Sequence, residues 1–190
     1  MTSFFDYLDG YQPVSEAATQ ALAAILTPLA YPKNHFLHRA GDTCHHVYFI
    51  VTGLARIFYY RDGKDITNHF VCERDIVAAM DSLYSGTPSF YSIELLEDCT
   101  LIAIRYQTFE ALYSEFRELE SIDRLLAIEC YLKENERNRS FQMHTAKERY
   151  VRLTETHPDL LHRVNLGHIA SYIGVTQVQL SRIRAELITL

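Results

Sequence analysis

Between about residues 34 and 106, short runs of β-branched and aromatic residues alternate with turn signals. Each run suits one strand, and the segments between them are rich in Gly, Asp, Ser and Pro. Asp62-Gly63 separates two such runs, which is a strong hairpin signal. Strands this short at this spacing predict a small barrel or jelly-roll-like β-domain. The strand candidates are HFLHR, HHVYFIV, LARIFYY, DITNHFV, YSIELLE and TLIAIRY.

Helical patterns lie on both sides of this β-rich region. The Ala- and Leu-rich segment from about Ser15 to Leu29 predicts a helix, and Pro32 ends any helical run. The pattern becomes helical again after Thr108, and a longer helix is predicted over residues 118–143. A capping box at Thr145-Ala-Lys-Glu148 then predicts the start of a further helix.

The long predicted helix carries a short apolar seam. Leu125, Ile128 and Leu132 fall on one face, with Ile122 and Tyr131 nearby, and the sequence becomes polar after Leu132. A seam confined to the first half of a helix is typical of a dimerisation helix. We therefore predict a homodimer whose seam consists of Ile122, Leu125, Ile128 and Leu132. The alternative is a helix that lies on its own β-domain.

The last 26 residues predict two short helices joined by a tight turn. Asn165 is suited to cap the first helix, and Gly174 to end it in a left-handed conformation. Thr176 and Gln179 form a second capping box at the start of the last helix. Two short helices around a Gly turn are the requirements of a helix-turn-helix. The buried positions of the last helix would be Leu180, Ile183 and Leu187.

The polar face of the last helix has side chains suited to DNA. Glutamine can pair with adenine through two hydrogen bonds, arginine can bind guanine or phosphate, and backbone amides at the helix start can contact a phosphate. The alternative is an ordinary helical hairpin with a solvated polar face. The candidate DNA-binding residues are Thr176, Gln177, Gln179, Ser181, Arg182 and Arg184.

Charge and composition modify this picture only in part. The chain of 190 residues has a formal net charge of −6, but six Lys/Arg against four Asp/Glu from Ala146 onward make the C-terminal part mildly basic. No apolar run has the roughly 18 residues of a membrane span, and residues 1–6 lack a signal peptide's positive start. We expect a soluble cytoplasmic protein with no membrane partner. The four cysteines are far apart, which favours reduced thiols.

The segment IASYIGVTQVQLSRIRAEL resembles the recognition motif of the cyclic-AMP receptor/Fnr superfamily of transcription regulators, in the form of its short Bacteroidetes members. The match covers Ile169-Ala170, residues 174–176 and residues 180–184. The resemblance implies that Arg182 contacts a base or phosphate. Gln177 and Val178 stand where better-known members have an arginine and a glutamate, so the target sequence should differ from theirs.

The resemblance extends unevenly over the whole chain and implies an α+β fold. An N-terminal cyclic-nucleotide-binding-like β-roll of the jelly-roll type would be followed by a long dimerisation helix. A C-terminal helix-turn-helix with a reduced or absent wing would come last. The implied domains are a sensing domain over residues 1–117, a dimerisation helix over 118–143 and a DNA-binding domain over 144–190.

The implied effector is a small molecule other than cyclic AMP. Cyclic-nucleotide binders of the family carry a Glu for the ribose and an Arg for the phosphate, since a buried phosphate needs a counter-charge. Here Ala79 and Ser89 stand at those positions, and no Lys or Arg occurs between Arg74 and Arg105. The expected pocket residues are Ala79, Met80, Asp81, Ser82, Ser89, Phe90 and Tyr91, with Tyr131 as a lid.

Two other classes of protein are alternatives, a metalloenzyme and a protein-interaction module. A cupin-type metalloenzyme needs His-x-His on one strand so that both rings face the barrel interior, whereas His45 and His46 are adjacent. Motifs for serine hydrolases, P-loops and Rossmann folds do not occur. A protein-interaction module on the same roll would not need Arg182 and Arg184. We therefore expect no catalytic residue, metal or cofactor.

These features together predict a transcription regulator. Its partners would be double-stranded DNA with a pseudo-palindromic operator, a second copy of the chain and an unidentified effector, with RNA polymerase as a further candidate. Half-sites about 34 Å apart would each receive one recognition helix. Effector binding in the roll would shift the population between two dimer geometries.

Overall fold

The structure is a computed structural model that describes residues 2–188. Its helices are α1 (Thr2–Asp9), α2 (Glu16–Ile25), α3 (Met80–Ser85), α4 (Tyr106–Glu110), α5 (Arg117–Met143), α6 (Ala146–Thr156), α7 (Leu160–Arg163), α8 (Leu166–Tyr172) and α9 (Gln177–Ile188), and a 3-10 turn spans Ala111–Ser114. Its strands are β1 (Thr27–Tyr31), β2 (Phe36–His38), β3 (His46–Thr52), β4 (Ala55–Arg61), β5 (Lys64–Val71), β6 (Ile76–Val77), β7 (Ser92–Leu95) and β8 (Cys99–Arg105).

The strands of the described chain form two four-stranded sheets. Their orders are β1-β8-β3-β6 and β2-β7-β4-β5. In the first sheet β8 pairs antiparallel with β1 on one side and with β3 on the other. Because neighbours in the sheets are distant in sequence, the strands fold over one another as in a jelly roll. The predicted β-roll, with helices before and after it, is confirmed.

The turn between β4 and β5 follows directly from its two residues. Asp62 has φ +53° and Gly63 has φ +74°. A two-residue hairpin of type I′ requires positive φ at both central positions, and Asp-Gly meets this requirement at low cost. The hairpin predicted from Asp62-Gly63 is therefore present.

The first predicted helix is shorter than expected. It ends at Ile25, and Thr27–Tyr31 is a strand that pairs with β8 over its full length. Pro28 is tolerated there because β1 lies at the edge of its sheet, where a missing N–H costs no ladder hydrogen bond. The helix prediction for residues 26–29 is wrong because pairing with a distant strand outweighs local propensity.

The chain divides into two compact units, of which the first comprises residues up to 57 and residues 70–129. Its core contains fully buried side chains from both sheets, among them Phe49, Ile93 and Leu101. The first half of α5 adds Leu119 and Ile122 to this core. A buried aliphatic side chain of this size contributes about 1.5–3 kcal/mol. Ile122 therefore belongs to the core of its own protomer and does not line an exposed seam.

The second unit comprises residues 58–69 and the chain from 130 onward. Between residues 130 and 188 every assigned element is a helix. Its buried side chains from α6 to α9 include Tyr150, Leu153, Leu160, Ile169 and Leu180. The division falls within α5, and the hairpin tip of β4 and β5 groups with the C-terminal helices. The predicted domain boundaries at 117/118 and 143/144 stay a prediction.

Candidate nucleic-acid interface and ligand pocket

The turn between α8 and α9 is fixed by its own backbone. Gly174 has φ +76°, its N–H donates to the carbonyl of Ser171 (3.1 Å), and the N–H of Val175 donates to the carbonyl of Ala170 (2.9 Å). This pair of bonds is a Schellman motif, which satisfies the last carbonyls of a helix. At the other end of α8, Asn165 Oδ1 accepts from the N–H of His168 at 2.8 Å. The predicted cap and stop residues of this helix are both confirmed.

Side chains from α5 and α6 hold this turn from outside. A Cβ added at Gly174 would lie 2.6 Å from Cε1 of Phe141, so the ring fills the space beside the glycine. The guanidinium of Arg149 lies over the same ring at 4.7 Å, and its Nε donates to the carbonyl of Ile173 at 2.9 Å. The direction in which α9 leaves the turn is thus set by backbone and side chains together.

The first turn of α9 is closed by the predicted capping box. The N–H of Gln179 donates to Thr176 Oγ1 (3.2 Å), and the N–H of Thr176 donates to Gln179 Oε1 (2.9 Å). Both side-chain oxygens therefore satisfy backbone donors that a helix start leaves open. Thr176 and Gln179 both belong to the predicted DNA-contacting set, and in this conformation both side chains cap the helix.

The other side chains of the predicted DNA-contacting set project from α9. Leu180 is fully buried, whereas Gln177, Ser181, Arg182 and Arg184 are all exposed. Two residues on from Leu180, Arg182 lies about 200° around the helix and points away from the buried stripe. Two cations and two polar groups are thus presented along one helix of about three turns.

The hairpin tip between β4 and β5 is hydrogen-bonded to α8. The N–H of Thr67 donates to Ser171 Oγ at 2.8 Å, and that hydroxyl donates to the carbonyl of Asp65 at 3.2 Å. The imidazole of His168, also on α8, lies 3.9 Å from the Asp65 carboxylate. The first helix of the candidate helix-turn-helix is therefore anchored to the hairpin.

Arg137 of α5 joins the hairpin and α8 in one network. Its guanidinium donates to the carbonyls of Tyr172 (3.2 Å) and Thr67 (3.3 Å) and to Oδ1 of Asn68 (3.2 Å). It also lies 4.7 Å from the ring centroid of Tyr172 and 4.8 Å from that of Phe141. A planar guanidinium with several fixed donors suits such a junction better than an ammonium would.

A His–carboxylate pair strengthens the same junction. His69 Nε2 lies 2.6 Å from Glu134 Oε1, and the Asn68 amide donates to the same oxygen at 3.0 Å. The bond with His69 is the main reason that the pKa of Glu134 lies below its usual value. Charge-assisted bonds of this kind are about twice as strong as neutral ones.

The segment expected to bind a ligand contains an internal carboxylate. Both Asp81 oxygens accept from Ser89 Oγ (2.8 and 3.0 Å), and the N–H of Phe90 donates to Asp81 Oδ2 at 3.1 Å. Ser82 is also used locally, since its hydroxyl accepts from the N–H of Cys44 at 2.8 Å. Donors that could bind an anionic group are therefore occupied by a protein carboxylate.

The remaining predicted pocket residues are dispersed. Ala79 is buried, Phe90 is 58% exposed, and Tyr91 is partly exposed. Met80 lines an apolar cavity together with residues of α1 and α5, and the other predicted pocket residues are not among the residues that line this cavity. Tyr131 lies in the second compact unit, so its role as a lid stays a prediction.

Sequence reasoning missed His38 on β2. The side chain is only 8% exposed, and its buried Nε2 has no hydrogen-bond partner among residues 2–188. Burial lowers the pKa of His38, although the Asp42 and Asp81 carboxylates act against this effect. The backbone that follows this strand contacts the candidate pocket, because the N–H of Gly41 donates to the carbonyl of Ser89 at 2.8 Å. A histidine on the inward side of a short strand was the available signal.

The exposed side of α5 carries apolar side chains without cover in the protomer. Ile128 is 43% exposed, Tyr131 66% and Leu132 55%. Leu125 is partly exposed. These are four of the five apolar positions that the sequence placed on or near the dimer seam, and Ile122 is the one that is buried.

Residues 2–188 contain neither a candidate membrane span nor a candidate metal-ligand cluster. None of the helices there combines the length and apolarity that crossing a membrane requires. Among the same residues, no three or more His, Cys, Asp or Glu side chains are arranged to hold a metal ion.

One protein family and several solved structures are similar to this chain. Residues 28–116 match the family model of the cyclic nucleotide-binding domain. None of the curated proteins compared matches the sequence. Solved structures with the same fold include FixK2 from Bradyrhizobium japonicum, with 18% identity, TM-score 0.74, and coverage of 87% of this chain and 85% of that one.

Two further structures have a similar fold over nearly the whole chain. The c-di-GMP-responsive global regulator CLP of Xanthomonas campestris has 17% identity and TM-score 0.70, with 92% of each chain covered. A transcriptional regulator of the Crp/Fnr family from Eubacterium rectale has 14% identity and TM-score 0.73, with 97% of this chain and 88% of that one covered. At sequence identities this low, the similarity between these structures and this chain shows a shared fold.

Proposed function

Since the chain has the fold of the cyclic-AMP receptor/Fnr transcription regulators, with a cyclic nucleotide-binding domain over residues 28–116, we propose that it is a DNA-binding transcription regulator. Its β-roll would sense a small molecule other than cyclic AMP. Binding in the roll would reposition α8 and α9 in a homodimer. The protein would act by binding, without catalysis.

The observation that carries this proposal is the exposed face of α9. Arg182 and Arg184 project from a helix whose start is capped and whose direction is fixed by the turn at Gly174. Arginines on a rigid helix can bind guanine edges or phosphates in the major groove. Gln177 and Ser181 add hydrogen-bonding groups next to them. Thr176 and Gln179 would contribute mainly by shaping the helix start, where backbone amides can face a phosphate.

A homodimer would place two copies of α9 in successive major grooves. Ile128, Tyr131 and Leu132 are exposed apolar side chains of α5 that a second copy would cover. Two-fold symmetry of the protein requires a pseudo-palindromic operator, with half-sites about 34 Å apart.

The proposed effector differs from cyclic AMP because the candidate pocket lacks a counter-charge for a phosphate. No Lys or Arg occurs between Arg74 and Arg105, and the Asp81 carboxylate occupies the Ser89 hydroxyl and the Phe90 amide. A second anion next to this carboxylate would be repelled. The buried Nε2 of His38 would be a hydrogen-bonding group for an uncharged effector.

The hairpin tip offers a route from the roll to the reading helices. β4 and β5 run from their sheet into the tip at Asp62-Gly63, and Thr67 of β5 is bonded to Ser171 of α8. A ligand that shifts these strands would therefore act on α8 directly. Such a shift would bias two arrangements of the DNA-binding helices, as a population shift requires.

Fluorescence anisotropy tests the proposal with DNA from upstream of the protein's own gene. Wild type, Arg182→Ala and Arg61→Ala are titrated at two salt concentrations, each with and without cyclic AMP. Arg61 is the matched control because it is an exposed arginine on the hairpin tip, with 74% of its side chain accessible. Arg182→Ala should lose about 1–3 kcal/mol of affinity, while Arg61→Ala binds like wild type.

The salt series and the cyclic-AMP series show which part of the proposal is wrong if binding differs from this expectation. Binding that weakens steeply with salt indicates phosphate contacts. Equal losses in both arginine variants would reduce the effect to net charge and remove the specific role of Arg182. Tightening by cyclic AMP would overturn the proposed effector class. Lack of binding by wild type at low salt would favour a protein-interaction role for the C-terminal helices.

A further inference from the structure

A small apolar cavity lies in the first compact unit, and neither Ser89 nor Asp81 is among its lining residues. Its walls come from α1, β3, β6, α3, β8, α4 and the first half of α5. Phe4 and Leu8 of α1, Leu83 of α3 and Leu126 of α5 are among its apolar lining residues. Most of the lining surface is hydrocarbon, so the cavity favours an apolar group over water.

One carboxylate interrupts this apolar lining. Asp123 Oδ2 accepts from the Tyr106 hydroxyl at 2.9 Å, and Oδ1 accepts from the Tyr84 hydroxyl at 3.5 Å. Both tyrosines also line the cavity. Within residues 2–188, no Lys, Arg or His side chain forms an ion pair with Asp123. Burial raises the pKa of this carboxyl above its usual value, as expected for an acid whose charge is only partly compensated.

A third tyrosine, Tyr113, adds its buried hydroxyl to the surroundings of Asp123. Its ring packs edge-on against Phe109, with the centroids 5.3 Å apart, and Phe109 lines the cavity. Three tyrosine hydroxyls therefore surround the Asp123 carboxylate next to an apolar space, and none of them supplies a positive charge.

The size of the space limits what can enter. Its volume is about 40 Å³, whereas one ordered water requires roughly 10–15 Å³. By the same measure, about three or four non-hydrogen atoms fit. Cyclic nucleotides and other drug-sized molecules are therefore too large for this cavity.

We propose that this cavity is a binding site for a short-chain alkylammonium ion, whose ammonium group pairs with Asp123 and whose alkyl group lies against Leu8, Leu83 and Leu126. The cation would supply the counter-charge that Asp123 lacks, and the alkyl group would displace water from hydrocarbon walls. Binding here is independent of whether α9 binds DNA. Because Asp123 and Leu126 belong to α5, an occupied site would also stabilise the first half of that helix.

Methyl NMR of the full chain tests this site directly, with n-propylamine as the probe at neutral pH. The methyl groups of Met80, Leu83 and Leu126 line the cavity, and their shifts should change saturably. Propan-1-ol and propionate have the same size without the positive charge, and they should give little or no saturable change. Asp123→Asn should weaken propylamine binding by about tenfold or more, the effect of removing a charge-assisted partner.

Two further variants distinguish the effect of the Asp123 charge from the effect of the cavity volume. Glu120→Gln removes one carboxylate from an exposed position of the same helix and should leave the affinity within about twofold of wild type, since exposed charges are screened. Leu83→Phe fills the cavity and should abolish binding without a change of charge. Thermal unfolding checks that each variant is folded.

Four outcomes would overturn the proposal. Equal binding of propan-1-ol would show that the charge is not recognised. Equal losses in Asp123→Asn and Glu120→Gln would reduce the effect to net charge. Absence of saturable shifts at the three methyl groups in folded wild type would exclude the cavity as the site. Binding of propionate in place of propylamine would assign the cavity to carboxylic acids and also reject an ammonium ligand.

Discussion

A methyl group at position 174 would meet two separate obstacles. The backbone there has φ +76°, a left-handed conformation that costs an L-residue about 1–2 kcal/mol. The new Cβ would also lie 2.6 Å from Cε1 of Phe141, so the ring would have to move. Overpacking of this kind costs about 1–3 kcal/mol. We therefore expect Gly174→Ala to lower the free energy of unfolding by about 2–5 kcal/mol.

Gly63 provides a matched control for the backbone part of this cost. It lies in the same compact unit with φ +74°, and an added Cβ would meet nothing within 4 Å. Gly63→Ala should therefore cost only the left-handed contribution of about 1–2 kcal/mol. The difference between the two variants measures the clash with Phe141.

A third variant assigns the difference to the ring. In a Phe141→Ala background the space beside residue 174 is open, so the excess cost of Gly174→Ala should disappear in a double-mutant cycle. Urea unfolding followed by far-UV circular dichroism gives the free energies, with unchanged slope as the sign of comparable unfolded states. Equal costs of the two glycine variants in wild type, or an excess that persists without the ring, would refute this reasoning.

Other substitutions test separate parts of the molecule. Leu132→Glu should convert the proposed dimer to monomers in sedimentation velocity, because the seam would bury an unpaired charge; a dimer that persists would place the interface elsewhere. Arg137→Met should cost about 3–5 kcal/mol, since three acceptors lose a charged donor. It should also speed hydrogen exchange at the N–H of Thr67, and protection as in wild type would contradict the role of Arg137. Burial lowers the pKa of His38 from its usual 6.5, so below about pH 6.5 the unfolded chain binds the proton more readily than the folded chain. The free energy of unfolding should therefore decrease as the pH is lowered below about 6.5. His38→Leu should flatten that slope in unfolding measured between about pH 5 and 7, and an unchanged slope would assign it to other groups.

Local signals in the sequence were sufficient for the helix ends. Asn165, Gly174 and the Thr176/Gln179 pair each act within a few residues of their own position, so their geometry needs no distant contact. Asp62-Gly63 is of the same kind, because its two residues alone determine the turn type. These positions carry the part of the candidate interface that could be predicted.

Features that depend on distant partners were not accessible in the same way. The helix predicted through Leu29 gave way to a strand because β8 is available as a partner. Ile122 was assigned to an exposed seam, although the core of its own protomer covers it. The bond between Asp81 and Ser89 and the burial of His38 likewise require that separate segments meet. Periodicity identifies an apolar face and leaves open which surface covers it.

The anchoring of α8 to the β4–β5 hairpin restricts how this protein can be recombined. Thr67 and Ser171 are hydrogen-bonded, yet they are 104 positions apart in the chain. A chimera joined within α5 would take its C-terminal helices from one parent and residues 58–69 from the other. Its α8 would face a foreign hairpin, and an Arg137 that comes with the C-terminal helices would have to donate to the Thr67 carbonyl and the Asn68 amide oxygen of the other parent. Exchange of the C-terminal helices between relatives therefore requires two transferred segments, the hairpin and the helices themselves.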